Sequence, residues 1–129
     1  MNDASENPAK PHIVYVLTKG PDQAEIALLP FMHAVGALAC DMDASVVLMA
    51  GAVLLAQKGV AEHVVVPGKP PLSELLKNFF ELGGKLYLCT PCFKSRGYDE
   101  KKDFVEGAMP IAAAQYNELL LKSSAAISY

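Results

Sequence analysis

Two short apolar runs, residues 12–17 (HIVYVL) and 45–49 (SVVLM), are strand-like but do not alternate between polar and apolar positions. A strand with one wet face alternates; an unbroken apolar strand is covered on both sides, as strands of parallel sheets are. A stretch of helix length separates the two runs, which is what a parallel crossover requires. This pairing restricts the chain to a sheet with helices packed on both faces.

The remaining segments extend the alternation. Residues 22–41 read as a helix with Asp22 as N-cap, and Pro30 is expected to kink it or start a second piece. Residues 53–58 suggest a helical turn closed by Gly59, and 63–66 a short extended piece. Pro70-Pro71 opens an amphipathic helix that carries Leu72, Leu75, Leu76 and Phe79 on one face and ends at Gly83-Gly84. A third β-type run, 85–88 (KLYL), follows. Residues 99–105 read as a short charged helix, 107–109 as a brief strand or turn, and Pro110 as the first residue of a helix reaching Lys122. Residues 125–129 (AAISY) close the chain as a strand. Strand and helix alternate throughout, so the expected fold is α/β with a mostly parallel sheet.

With 129 residues the chain is sized for one domain, which buries roughly two-thirds of the surface its unfolded form exposes. Its 52% hydrophobic residues exceed what a soluble domain of this size usually carries, so the surplus belongs in doubly covered elements or subunit interfaces. A net charge of −3, a single arginine and scattered lysines exclude a nucleic-acid footprint. Residues 1–11 are polar and read as a flexible tail without a secretory signal. The apolar stretch 24–40 is interrupted by Glu25, Pro30, His33 and Gly36, too often for a membrane span. A cytoplasmic protein is expected, with its three cysteines kept reduced and therefore available for reaction.

Chemistry concentrates at Cys89-Thr90-Pro91-Cys92, directly after the third strand. Open parallel sheets gather reactive groups beyond the carboxyl ends of their strands. With Thr90 as N-cap and Pro91 at the first helical position, Cys92 falls among unpaired backbone N–H groups, which favour a thiolate or persulfide. Lys94 and Arg96 add positive charge. Such surroundings ionise a thiol more readily than solvent does.

Plainer readings stand beside this one. A cysteine ending an apolar strand can be a small core residue. Zinc would need about four ligands, and neither a second Cys pair nor a close His pair exists, so no metal or other cofactor is expected. A Cys-x-Pro-Cys segment is similar to the thioredoxin motif, but here it follows the third strong strand instead of an early one. Thr18-Lys19-Gly20 lacks the rest of a phosphate loop, although Lys19 also lies at a strand's carboxyl end and can border the thiol pocket. His33 and His63 have no partner visible in sequence. Cys40 is expected to be buried and inert.

Residues 12–129 resemble the DsrE/DsrF-like family of small sulfur-relay proteins with the YchN-like fold. The resemblance rests on the strand followed by Cys89-x-x-Cys92-x-x-x-Arg96-Gly97. Glu106-Gly107, a helix and the terminal strand then come in the family's order. It implies a three-layer α/β/α sandwich with a mostly parallel five-stranded sheet, assembled as a homotrimer or homohexamer. It also implies a cysteine that carries sulfane sulfur as a persulfide between donor and acceptor proteins. Cys89 matches the sulfur-carrying cysteine; Thr90, Arg96 and Lys19 are expected around the bound sulfur from their positions in the chain. Cys92 matches a second cysteine found in some members, which can resolve the persulfide to a disulfide. Three functions stay open: a persulfide carrier or sulfurtransferase, a dithiol/disulfide oxidoreductase using Cys89 and Cys92, and an oligomeric binding module whose cysteines are structural.

Overall fold

The structure is a computed structural model and describes residues 10–129. Five strands, β1 (His12–Leu17), β2 (Asp43–Leu48), β3 (Lys85–Cys89), β4 (Ala108–Ile111) and β5 (Ala125–Ser128), form one sheet in the order β4-β3-β2-β1-β5. All four pairings are parallel, so the sheet expected to be mostly parallel is parallel throughout. Each connection crosses over through a helix: α1 (Ala24–Ala39), α2 (Leu72–Glu81), the short α3 (Thr90–Lys94) and α4 (Ala113–Lys122). Among the described residues, no helix is long and apolar enough to cross a membrane.

Successive side chains on a strand point to opposite faces. Tyr15, Leu17, Val46, Leu48, Leu86 and Leu88 share the face under α1 and α2, where Phe31 and Phe79 meet edge-on at 5.9 Å. The stripe Leu72, Leu75, Leu76 and Phe79 is buried there, as its helical spacing requires. Val14, Val16, Val47 and Ile111 occupy the opposite face, beneath half-buried Tyr116, Leu119 and Leu120 of α4. That cover is thin. No residue of α4 is fully buried, all of β5 is exposed, and Leu121 is 86% exposed. Ser45, the one buried polar side chain among the described residues, is satisfied by His12 Nε2 at 2.8 Å.

Several local expectations are corrected. Asp22 lies in a 3₁₀ turn (Pro21–Gln23), and Gln23 is the N-cap of α1. Pro30 neither ends nor divides this helix; it is buried against the core, which offsets the backbone bond it cannot make. The charged stretch 99–105 forms turns instead of a helix, because carboxylates take over its backbone donors. Asp99 N–H donates to the Asp103 carboxylate at 2.6 Å and Lys101 N–H to that of Asp99 at 2.7 Å. Pro110 sits inside β4, an edge strand that tolerates a missing N–H, and α4 starts later, at Ala113. The expected tail, apart from Lys10 and Pro11, lies outside the described residues. Lys10 Nζ is 3.3 Å from Asp41 and 3.6 Å from Asp43, and the carbonyl of Pro11 accepts from Asp43 N–H at 2.8 Å.

Cys40 is exposed, against expectation. Helix α1 ends in a Schellman motif in which Asp41 takes the left-handed position at φ 63°. Met42 N–H reaches the carbonyl of Ala37 at 3.0 Å, and Asp41 N–H that of Leu38 at 3.2 Å. Cys40 therefore caps the helix from outside its buried face. Aspartate takes the position that glycine usually fills, and the helix closes two residues before the expected end at 41.

Two outcomes follow from this packing. Phe31→Ala is expected to lose about 3–5 kcal/mol in urea unfolding, and Leu121→Ser to change stability by less than about 0.5 kcal/mol. Cys40 is expected to react with a maleimide in native, unreduced protein, and Cys40→Ser to abolish that labelling. Equal losses from the two stability variants, or an inert Cys40, would contradict the assigned faces.

Candidate functional site

Strand β3 passes into α3 with no intervening loop. Cys89 is the last strand residue and also the N-cap (φ −59°, ψ 114°), so Thr90, Pro91 and Cys92 occupy the first three helical positions. The start is one residue earlier than expected: Cys89, not Thr90, is the cap. An N-cap side chain meets the N–H groups of the second and third helical residues. Pro91 has no N–H, and the Cys89 side chain makes no capping hydrogen bond.

Residues three apart on a helical turn share a face. The sulfurs of Cys89 and Cys92 accordingly meet as a disulfide, with Cα atoms 5.3 Å apart, well within bridging range. Both residues are half-buried, packed on one side against the large core and open on the other. The pair is neither walled into hydrocarbon nor displayed on a mobile tip.

Phe93 fixes this turn. Fully buried, it meets Phe104 at 5.2 Å, and Phe104 meets Tyr98 at 5.9 Å. Phe104 is itself held by backbone bonds on either side, from Lys58 N–H to Asp103 O and from Val105 N–H to Ala56 O, both 2.9 Å. Neither phenylalanine stood out in the sequence. Phe104 lies in a charged stretch without periodicity, and only the apolar residue directly after Cys92 hinted at an anchor.

Arg96-Gly97 acquires a structural reading. Gly97 adopts φ 81°, Tyr98 N–H reaches Phe93 O at 3.1 Å, and Gly97 N–H reaches Lys94 O at 3.0 Å. This is again a Schellman ending, and glycine takes the left-handed position without strain. Arg96 Nη1 donates to the carbonyl of Cys92 at 3.0 Å and Ser95 Oγ to the same carbonyl at 3.1 Å. The guanidinium thus holds the backbone of the Cys92 residue, not its sulfur. Thr90 Oγ1 donates to Ile111 O at 3.1 Å and ties the start of α3 to β4.

Lys19 is not brought to the thiols. It lies two residues beyond β1, and β2 separates β1 from β3, which amounts to two strand spacings or about 10 Å. Its Nζ lies 3.2 Å from Thr18 Oγ1, which donates to Tyr129 O at 2.9 Å. The same corner contains His33, whose Nδ1 is hydrogen-bonded to Tyr129 OH, while Tyr15 OH donates to the carbonyl of His33. Burial pushes the Tyr15 phenol up, and burial together with the neighbouring Tyr15 pushes Tyr129 up. His33 therefore has a partner, 96 positions away and invisible to local reading. His63 is exposed at the end of a 3₁₀ turn (Ala61–His63). Among the described residues, no group of three or more His, Cys, Asp or Glu side chains is placed to hold a metal ion.

The assembled site is a pair of thiols at the carboxyl edge of a parallel sheet, within bonding reach of each other and partly open. Such a pair can attack a sulfur electrophile with one thiol and resolve the product with the other.

Known proteins share this frame. The ychN protein from E. coli superposes with a TM-score of 0.76 at 18% identity, over 92% of this chain and 99% of that one. Protein MTH1491 from Methanobacterium thermoautotrophicum superposes at 0.68 with 14% identity, over 94% and 100%. In sequence, two uncharacterized proteins of Methanocaldococcus jannaschii are similar. MJ0760 is 34% identical over 97 residues, covering 75% of this chain and 34% of that protein. MJ0989 is 34% identical over 93 residues, covering 72% and 77%. The chain thus spans about a third of the first relative's length and most of the second's. A family model matches residues 12–129, from the first residue of β1 to Tyr129, and the chain belongs to the DsrE/DsrF-like family.

Proposed function

We propose that the protein relays sulfane sulfur, with Cys89 as the carrying thiol and residues 12–129 acting as one domain. The observation that supports this reading most is the half-buried Cys89 at the sheet's carboxyl edge, sulfur to sulfur with Cys92. The Cys89 thiolate attacks the outer sulfur of a donor persulfide. The donor leaves as a thiolate, and the outer sulfur is now bonded to Cys89. An acceptor thiolate then attacks that outer sulfur and releases the Cys89 thiolate, with no net redox change. Thr90 and Arg96 act as positioning residues, through Ile111 O and Cys92 O respectively.

The disulfide favours a second route. The Cys92 thiolate attacks Cys89 Sγ in the persulfide, the outer sulfur leaves as hydrosulfide, and the Cys89–Cys92 disulfide forms. Two thiols are oxidised while sulfane sulfur is reduced to sulfide, and an external dithiol must then reduce the disulfide. This is the oxidoreductase reading applied to a sulfur substrate. Protein donors and acceptors in a reducing, cytoplasmic setting suit both routes. Assembly as a homotrimer or homohexamer would cover the sheet face that α4 leaves thinly shielded.

Intact mass after treatment with a persulfide donor tests the assignment in reduced protein carrying Cys40→Ser. Cys92→Ser is expected to gain and keep one sulfur atom. With both thiols present, the gain should decay to a disulfide as sulfide appears in solution. Cys89→Ser should gain nothing; loading of Cys89→Ser equal to that of Cys92→Ser would refute the assignment.

A further inference from the structure

Where α3 ends, the chain turns into a charged cleft of about 750 Å³ lined by Lys94, Gly97, Tyr98, Asp99, Glu100, Lys101 and Lys102. Four of the chain's 11 cationic side chains, Lys94, Arg96, Lys101 and Lys102, fall within residues 94–102, although the chain as a whole is anionic. None of the four takes part in an ion pair among the described residues. The acids of the wall are less free. The Asp99 carboxylate accepts Lys101 N–H, and neighbouring Asp103 accepts Asp99 N–H, so both are turned to the loop's own backbone. Glu100 is the remaining acid, set against three ammonium groups. The cleft volume falls in the range of small-molecule sites.

From this arrangement we propose that the cleft docks the carboxylate end of a small anionic thiol compound, as its persulfide or disulfide, and so delivers that compound's sulfur to Cys89. The proposal rests on the thiol chemistry above and names a low-molecular-weight donor in addition to protein partners. Helix α3 has five residues, so about 7 Å of helix separates the cleft from the Cys89 end at 1.5 Å per residue. The fitting compound therefore carries its carboxylate roughly 5–10 Å from its sulfur, the span of a short peptide thiol. In the disulfide case the Cys89 thiolate displaces one half of the compound as a thiolate. Cys92 then attacks Cys89 Sγ and displaces the other half, leaving the Cys89–Cys92 disulfide and two reduced small thiols.

Stopped-flow rates of reduced Cys40→Ser protein with three disulfides test this: anionic glutathione disulfide, neutral bis(hydroxyethyl) disulfide and cationic cystamine. Each rate is taken relative to the neutral compound in the same protein. At low ionic strength the anionic-to-neutral ratio is expected to fall about tenfold in the triple variant Lys94→Gln/Lys101→Gln/Lys102→Gln, with the cystamine ratio rising. In the unsubstituted lysine background, salt near 1 M should bring the same convergence, independently of how the variant folds. Ratios that respond to neither salt nor substitution would overturn the proposal while leaving the thiol chemistry intact. Failure of all three compounds to react would remove the underlying reading as well, and the cleft proposal with it.

Discussion

The functional geometry depends on one junction: the passage of β3 into α3 with Cys89 belonging to both. A strand end fixes a side chain's position to within the pleat, and a helix start fixes the next residues to a turn. Joined without a loop, they leave the two cysteines little choice of separation. The junction stays in place because Phe93 is buried against Phe104, and Phe104 is stitched to the segment after β2 by the bonds that flank it. Thr90 fastens the same turn to β4, and Arg96 with Gly97 closes it. The residues around the thiols thus hold the backbone, not the sulfurs.

A thiol pair held in this way differs from one displayed on a loop. Each cysteine packs against the core on one side and is partly open on the other. In the proposed chemistry Cys92 gives the site a second outcome: the Cys89 persulfide is handed on or reduced in place. Which outcome prevails depends on whether an acceptor thiol arrives before Cys92 attacks.

Much of the fold was legible because the unalternated strands 12–17 and 45–49 admit little besides a parallel sheet. The amphipathic stripe Leu72, Leu75, Leu76 and Phe79 was legible for the same reason: its period matches the face it buries. Local chemistry was read less well wherever a side chain competes for backbone. Asp99 and Asp103 melted an expected helix, Asp41 ended α1 in place of a glycine, and Pro110 found an edge strand instead of a helix start. At the site, Cys89 and Cys92 were singled out by their spacing, while the Thr90 and Arg96 side chains, expected at the sulfur, bind carbonyls. Lys19 was misplaced because sequence order does not reveal that β2 lies between β1 and β3. Phe104 and the His33–Tyr129 contact are long-range, and nothing local announces them.

The central claim is that the native fold brings the Cys89 and Cys92 sulfurs together. Equilibrating folded protein across graded ratios of reduced to oxidised glutathione, followed by acid quenching and peptide mass mapping, measures this directly. The account predicts a linked Cys89–Cys92 peptide that appears and disappears reversibly with the ratio while circular dichroism stays constant. A pair that remains unlinked at every ratio, or links only once the protein has unfolded, would contradict it.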